Sequence, residues 1–79
     1  MKAIVWSKVS CPYCVSAVAL LKSKGYEIEE RKIGVDWSKE QLLESVPLAR
    51  TVPQIFLDGE YIGGFDNLVK HFEMKDGTT

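Results

Sequence analysis

Apolar and polar positions along this chain change their rhythm several times, and each change marks an element. Ala3-Ile4-Val5-Trp6 is a continuous apolar run, which predicts a buried first strand over roughly Lys2 to Trp6. From Pro12 to about Lys24 the pattern turns helical, and Gly25 supplies the stop. Tyr26 and Ile28 then alternate with charged residues as far as Ile33, predicting a second strand whose polar positions suit an edge or a partly exposed place. A helix reached from one strand and leading to another implies a right-handed parallel crossover.

The second half opens with a helix-start signal. Ser38 with Gln41 has the form of a capping box, and Trp37 with Leu42 the spacing of a hydrophobic staple. Leu42, Leu43 and Val46 supply a buried stripe before Pro47 ends the helix. Gln54 to Leu57 and Glu60 to Gly63 flank Asp58-Gly59, which predicts a hairpin with a two-residue turn. Gly63-Gly64 leads into a last helix from Asp66 to about Glu73, with Leu68, Val69 and Phe72 on one face and Lys75 to Thr79 as a frayed tail. The expected order is β-α-β-α-β-β-α, an α/β chain.

Chemistry concentrates where the first strand meets the first helix, at Cys11-Pro12-Tyr13-Cys14. The opening N–H groups of a helix lack partners, so a thiolate placed there gains hydrogen bonds and a favourable dipole. Cys11 is the candidate nucleophile. Pro12 suits the first helical position, and Cys14 lies about one turn on, within reach of the first sulfur. Lys8 adds positive charge that favours thiolate over thiol at Cys11, while Cys14 stays mostly thiol as the candidate resolving residue.

Composition narrows the function. A chain of 79 residues, 46% of them hydrophobic, is expected to form a single domain over residues 1–79 with a modest core. Both cysteines belong to one motif, and with His71 as the only histidine they argue against a structural zinc site, so no metal is expected. Ten basic and eleven acidic residues give no electrostatic reason to expect nucleic acid or an anionic membrane as partner. No secretory hydrophobic region precedes the motif, and a reducing cytoplasm is the expected setting, the host's cytoplasm if the chain is viral. In that setting a Cys-x-x-Cys beside a strand and a helix is more often catalytic than structural.

The motif, together with Arg50-Thr51-Val52-Pro53-Gln54-Ile55-Phe56 and Ile62-Gly63-Gly64-Phe65-Asp66-Asn67-Leu68, resembles the glutaredoxins of the thioredoxin superfamily across nearly the whole chain. Thioredoxins proper usually carry Cys-Gly-Pro-Cys and are longer, so the resemblance is to the glutathione-dependent branch, and to its small bacterial and bacteriophage forms. It implies a thioredoxin-like fold, a four-stranded mixed sheet flanked by three helices. It also implies glutathione as reductant, a redox-active Cys11–Cys14 disulfide and a cis bond before Pro53. The backbone of Val52 would pair with the substrate's cysteinyl backbone, a one-rung β-augmentation. Gly64, Phe65 and Asp66 match the segment that holds the γ-glutamyl end of glutathione, and Thr51 belongs to the same cleft. Lys8 and Arg50 match positions that approach the glycine carboxylate, and Tyr13 would lie beside the glutathione sulfur. A residue of the second helix commonly joins them; Lys39, Glu40 and Gln41 are the choices here. Where relatives often have cysteine after Gly-Gly, this chain has Phe65.

Plainer roles stand beside these. Lys8 and Tyr13 could be ordinary exposed side chains, and Asp66 a first-turn acid that stabilises its helix by about 1 kcal/mol. Trp6 and Trp37 fit core and capping roles better than functional ones, His71 fits a helix end, and Glu27, Glu29 and Glu30 read as a solvated strand face. The implied activity is a dithiol disulfide oxidoreductase acting as a monomer on glutathionylated proteins and protein disulfides, a ribonucleotide reductase among them. An alternative from a binding class is an iron–sulfur carrier dimer with a cluster held by Cys11 and glutathione, although such relatives usually carry Cys-Gly-Phe-Ser.

Overall fold

β1 (Lys2–Lys8), α1 (Pro12–Ser23), β2 (Glu27–Ile33), α2 (Lys39–Ser45), β3 (Gln54–Leu57), β4 (Glu60–Gly63) and α3 (Phe65–Asp76) follow one another in the expected order. The structure, a computed structural model, describes residues 1–76, with side chains through residue 73. The strands form one sheet in the order β2-β1-β3-β4. β1 runs parallel to β2 and antiparallel to β3, and β3 is antiparallel to β4. The charged strand β2 is an edge, as its composition requires.

Alternation along β1 divides the apolar side chains between two cores. Ala3 and Val5 pack with Ile55 and Leu57 of β3, Ala17 and Leu21 of α1, and Leu68 and Phe72 of α3. On the opposite face Trp6 packs with Leu42 and Val46, joined by Ile4, Trp37 and Phe56. A sheet covered on both faces explains why Ala3-Ile4-Val5-Trp6 is apolar throughout rather than alternating. Burying a side chain such as Leu21, Ile55 or Leu68, each 0% exposed, stabilises the fold by about 1.5–3 kcal/mol.

Local signals set the ends of the elements that carry the site. Gly25, at φ +85°, closes α1: its N–H donates to Lys22 C=O, and the N–H of Tyr26 to Leu21 C=O, both at 3.1 Å. That pair of bonds is a Schellman motif. At the start of α2 the Gln41 N–H donates to Ser38 Oγ (3.2 Å) and the Ser38 N–H to Gln41 Oε1 (2.8 Å), so both halves of the capping box form. Asp58 and Gly59 both take positive φ in the hairpin turn, and Asp58 Oδ1 accepts the backbone N–H of Lys2 at 2.8 Å.

Four expectations need correction. β1 continues past Trp6, because Ser7 and Lys8 extend the parallel ladder against Lys32 and Ile33. Leu43, expected in the buried stripe of α2, is only half-buried. The acidic run of β2 is not a plain solvated face: Glu29 pairs with Lys2 and Arg31, and Glu30 Oε2 accepts the hydroxyl of fully buried Ser7 at 2.8 Å. The last helix begins at Phe65 and runs to Asp76, so Lys75 is helical; the rest of the expected tail, residues 77–79, lies outside the described residues.

Candidate active site

The strand-to-helix junction builds the reactive corner. After β1 the chain turns through Ser10, a non-glycine residue at φ +62°, and Cys11 then takes the N-cap position of α1 in extended conformation (φ −110°, ψ 102°). The Cys14 N–H donates to Cys11 Sγ at 3.2 Å, so the sulfur occupies the place of a capping oxygen. Pro12 opens the helix and needs no N–H partner there. No acidic residue stands in the first turn of α1 to oppose a negative sulfur. Cys11 and Cys14 form a disulfide, their Cα atoms 5.2 Å apart. Cys11 is 7% exposed and Cys14 only 1%.

Facing the disulfide is the loop that enters β3. The Val52–Pro53 peptide is cis, as the resemblance implies, and Cys11 Sγ lies 3.9 Å from Val52 O. Gln54, at the first position of β3, is buried and reaches back to this loop: its Nε2 donates to Thr51 C=O at 2.9 Å. The Tyr61 hydroxyl, from β4, donates in turn to Gln54 Oε1 at 2.6 Å. Sequence reasoning did not single out either residue. A polar residue inside an otherwise apolar strand was the available signal.

Two grooves open to either side of Val52. One is lined by Lys8, Lys39, Arg50, Thr51 and Val52 over an apolar floor that includes Ile33 and Leu42. The other is lined by Tyr13, Thr51, Val52, Pro53, Gly64, Phe65, Asp66 and Asn67. A further hollow beyond the disulfide brings Lys8, Cys11 and Cys14 together with Glu30 and Lys32. The structure therefore brings together the residues expected to hold glutathione: Lys8 and Arg50 at the cationic end, Tyr13, Gly64, Phe65 and Asp66 at the other, and Thr51, Val52 and Pro53 between. Of the three α2 choices it is Lys39 that lines the groove, while the Gln41 side chain is engaged in the capping box. The Phe65 ring packs on the core and stands 6.1 Å from that of Tyr13 across the groove.

Charge along this cleft is ordered, with three cations at one end and Asp66 at the other. Gly64 C=O accepts the Leu68 N–H at 3.0 Å, so Asp66 sits in the first turn of α3, where the opening N–H groups have no partner within the helix itself. Such a cleft suits an extended zwitterion with a carboxylate at the basic end and an ammonium at the acidic one. The His71 ring lies edge-on to that of Phe72, centroids 5.3 Å apart, and lines neither groove. Among the described residues no helix is long and apolar enough to cross a membrane.

A capping cysteine disulfide-bonded one turn along its helix, opposite a cis-proline loop, defines a thiol–disulfide exchange site on a thioredoxin-like fold. The sequence model described as Glutaredoxin matches residues 3–62. Glutaredoxin 3 of Escherichia coli is 42% identical over 64 residues, which span 81% of this chain and 77% of that protein. The reduced glutaredoxin of Escherichia coli, solved by NMR, superposes with a TM-score of 0.80 at 27% identity, covering 99% of this chain and 100% of that one. A buckwheat glutaredoxin–glutathione complex gives a TM-score of 0.66 at 30% identity, covering 95% and 69%. The chain belongs to the glutaredoxin family. It is a dithiol glutaredoxin, a glutathione-dependent thiol–disulfide oxidoreductase with an active-site disulfide at Cys11 and Cys14.

Proposed function

We propose that Cys11 is the nucleophile, Cys14 the resolving thiol, and the cleft through Val52 the seat of glutathione. One observation carries the reading: Cys11 Sγ accepts the Cys14 N–H and lies against Val52 O, where the basic and acidic grooves meet. Lys8, Lys39 and Arg50 take the glycine carboxylate, and Asp66 with the N–H groups after Gly64 takes the γ-glutamyl end. The Val52 backbone pairs with the cysteinyl unit, and Tyr13 and Phe65 flank the sulfur.

In the reduced protein the Cys11 thiolate attacks a substrate disulfide, forming a mixed disulfide and expelling one substrate thiolate, which takes a proton from water. Cys14 then gives up its proton and attacks Cys11 Sγ, closing the disulfide and expelling the second thiolate. Two glutathione thiols restore the dithiol. The first opens the disulfide to a Cys11–glutathione adduct and frees Cys14; the second attacks the glutathione sulfur, and oxidised glutathione leaves. With glutathionylated substrates Cys11 alone suffices, and the second glutathione resolves the adduct. Protein disulfides in a reducing cytoplasm, that of a ribonucleotide reductase among them, are the clients we propose for the monomer.

The test is a glutathione-coupled reductase assay on wild type, Cys11→Ser and Cys14→Ser. Cys11→Ser loses all turnover. Cys14→Ser keeps turnover of small glutathione mixed disulfides and loses dithiol reduction of protein disulfides. Substantial activity in Cys11→Ser ends this assignment of roles.

A further inference from the structure

We infer that Gln54 and Tyr61 act together as a positioning clamp that aims the Val52 N–H at the substrate. The inference rests on the proposed function, in which the Val52 backbone pairs with the cysteinyl unit of glutathione or of a protein.

The Thr51–Val52 bond is trans, the cis bond being the one that follows it, and a planar trans peptide points its C=O and its N–H in opposite directions. Holding Thr51 C=O therefore fixes the direction of the Val52 N–H. Gln54 Nε2 holds it at 2.9 Å from a side chain 6% exposed. The bond spans three residues and closes a ring around Val52 and Pro53, so the loop cannot rotate that peptide without breaking it. Thr51 C=O is bonded inward to a buried group, which turns the Val52 N–H away from β3 and toward the grooves that Val52 lines.

A glutamine amide can be reversed end for end, presenting oxygen where nitrogen stood. Reversed, Gln54 would set oxygen against the Thr51 carbonyl oxygen and repel it. The Thr51 carbonyl, which can only accept, therefore sets the direction, and Tyr61 braces it: its hydroxyl donates to Oε1 at 2.6 Å while Nε2 faces Thr51. The phenol lies on β4 against Phe56, ring centroids 5.3 Å apart, and is 47% exposed. A hydroxyl at the outer edge of the sheet thus braces, through one buried amide, the orientation of a backbone donor in the active-site cleft. Neither Gln54 nor Tyr61 lines either groove, so the pair acts through the loop and not on the substrate.

The test compares wild type with Tyr61→Phe, Gln54→Met and Gln54→Glu. Glutamate retains the acceptor for Tyr61 but as a carboxylate cannot donate to Thr51. Two rates are read on reduced protein: attack of Cys11 on a glutathionylated peptide, and alkylation of Cys11 by iodoacetamide, which needs no backbone pairing. The first falls by about three- to tenfold in both Gln54 variants, the loss of about one hydrogen bond, and by less in Tyr61→Phe. The second does not move. A 15N-labelled sample adds a direct readout: the shift of the Val52 amide resonance on binding S-methylglutathione shrinks in Tyr61→Phe, a conservative change at the surface that leaves the fold intact. A wild type inert toward glutathionylated peptide overturns the proposed function and the clamp together. An active wild type whose rate and Val52 shift survive Tyr61→Phe and either Gln54 variant overturns the clamp alone, and so does a parallel fall in alkylation, which would mark a merely structural role.

Discussion

The backbone N–H of Cys14 donates to Sγ of Cys11 at 3.2 Å, so the second cysteine of the motif solvates the first. Serine or aspartate at a helix N-cap supplies an oxygen for the same purpose. Here the acceptor is the reactive atom itself, and the bond strengthens when that atom carries charge. Cys14 is in the reverse position, 1% exposed and in the first turn of the helix rather than at its cap.

That asymmetry predicts a difference in reactivity. In the reduced protein at neutral pH, iodoacetamide alkylates Cys11 at least about tenfold faster than Cys14, because the capped, more accessible sulfur is the one favoured as thiolate. Mass spectrometry of peptides after a timed pulse measures both rates. Equal labelling would remove the capping explanation.

The charge order of the cleft predicts a pattern across four substitutions. Lys39→Ala, Arg50→Gln and Asp66→Asn each weaken capture of glutathionylated peptide by about 1 kcal/mol, roughly fivefold, and the effect of the cation changes shrinks at high salt. Glu40→Ala, one residue beyond Lys39 but outside the groove lining, has no such effect. Losses at Glu40 as large as those at Lys39 would show that the helix, not the groove, had been perturbed.

The features readable from the chain alone were those whose causes are local. Ser38 and Gln41 lie one helical turn apart, Asp58-Gly59 carries its own turn, and Cys11-Pro12 starts a helix by chemistry the two residues contain. The cis bond at Pro53 and the roles around it came by resemblance. What stayed hidden was set by contacts distant in sequence. Ser7 and Lys8 look like the start of a loop, and only pairing with Lys32 and Ile33 makes them strand. Gln54 lies next to an apolar run, and its partner Tyr61 becomes a neighbour only through the hairpin. Lys39 could not be chosen over Glu40 and Gln41 until the helix was oriented on the sheet. Phe65, marked in the sequence only by the absence of a cysteine there, both packs on the core and lines the groove.

Ser7 and Glu30 form a pair in which the two partners are not equivalent. The serine hydroxyl is fully buried and donates to a carboxylate whose residue is exposed. Deleting the hydroxyl in Ser7→Ala loses one bond and leaves Glu30 with water, at a cost of about 0.5–1.5 kcal/mol. Deleting the carboxylate in Glu30→Ala strands a buried donor and costs about 1–3 kcal/mol. Urea denaturation of the two variants should rank them in that order, and a Ser7→Ala loss clearly above that of Glu30→Ala would contradict it.

Glu29 links stability to pH at the edge of the sheet. The hydrogen bond from Arg31 is the largest cause holding its carboxyl below the usual carboxylate range; partial burial opposes it, and Lys2 adds to it from 3.3 Å. Arg31 is itself fixed, its guanidinium 4.3 Å from the Trp37 ring centroid and 5.0 Å from that of Trp6. A carboxyl whose value is depressed on folding binds fewer protons folded than unfolded, so stability rises with pH through that interval. The contribution is complete above the unfolded value and is lost as pH falls through the folded one. Solvent screening at this partly exposed pair keeps it to at most about 1 kcal/mol. Glu29→Gln should therefore melt slightly below wild type at pH 7, by a margin that narrows as the solution is acidified through the carboxylate range. A margin that widened on acidification would give the linkage the wrong sign and exclude Glu29 as its source.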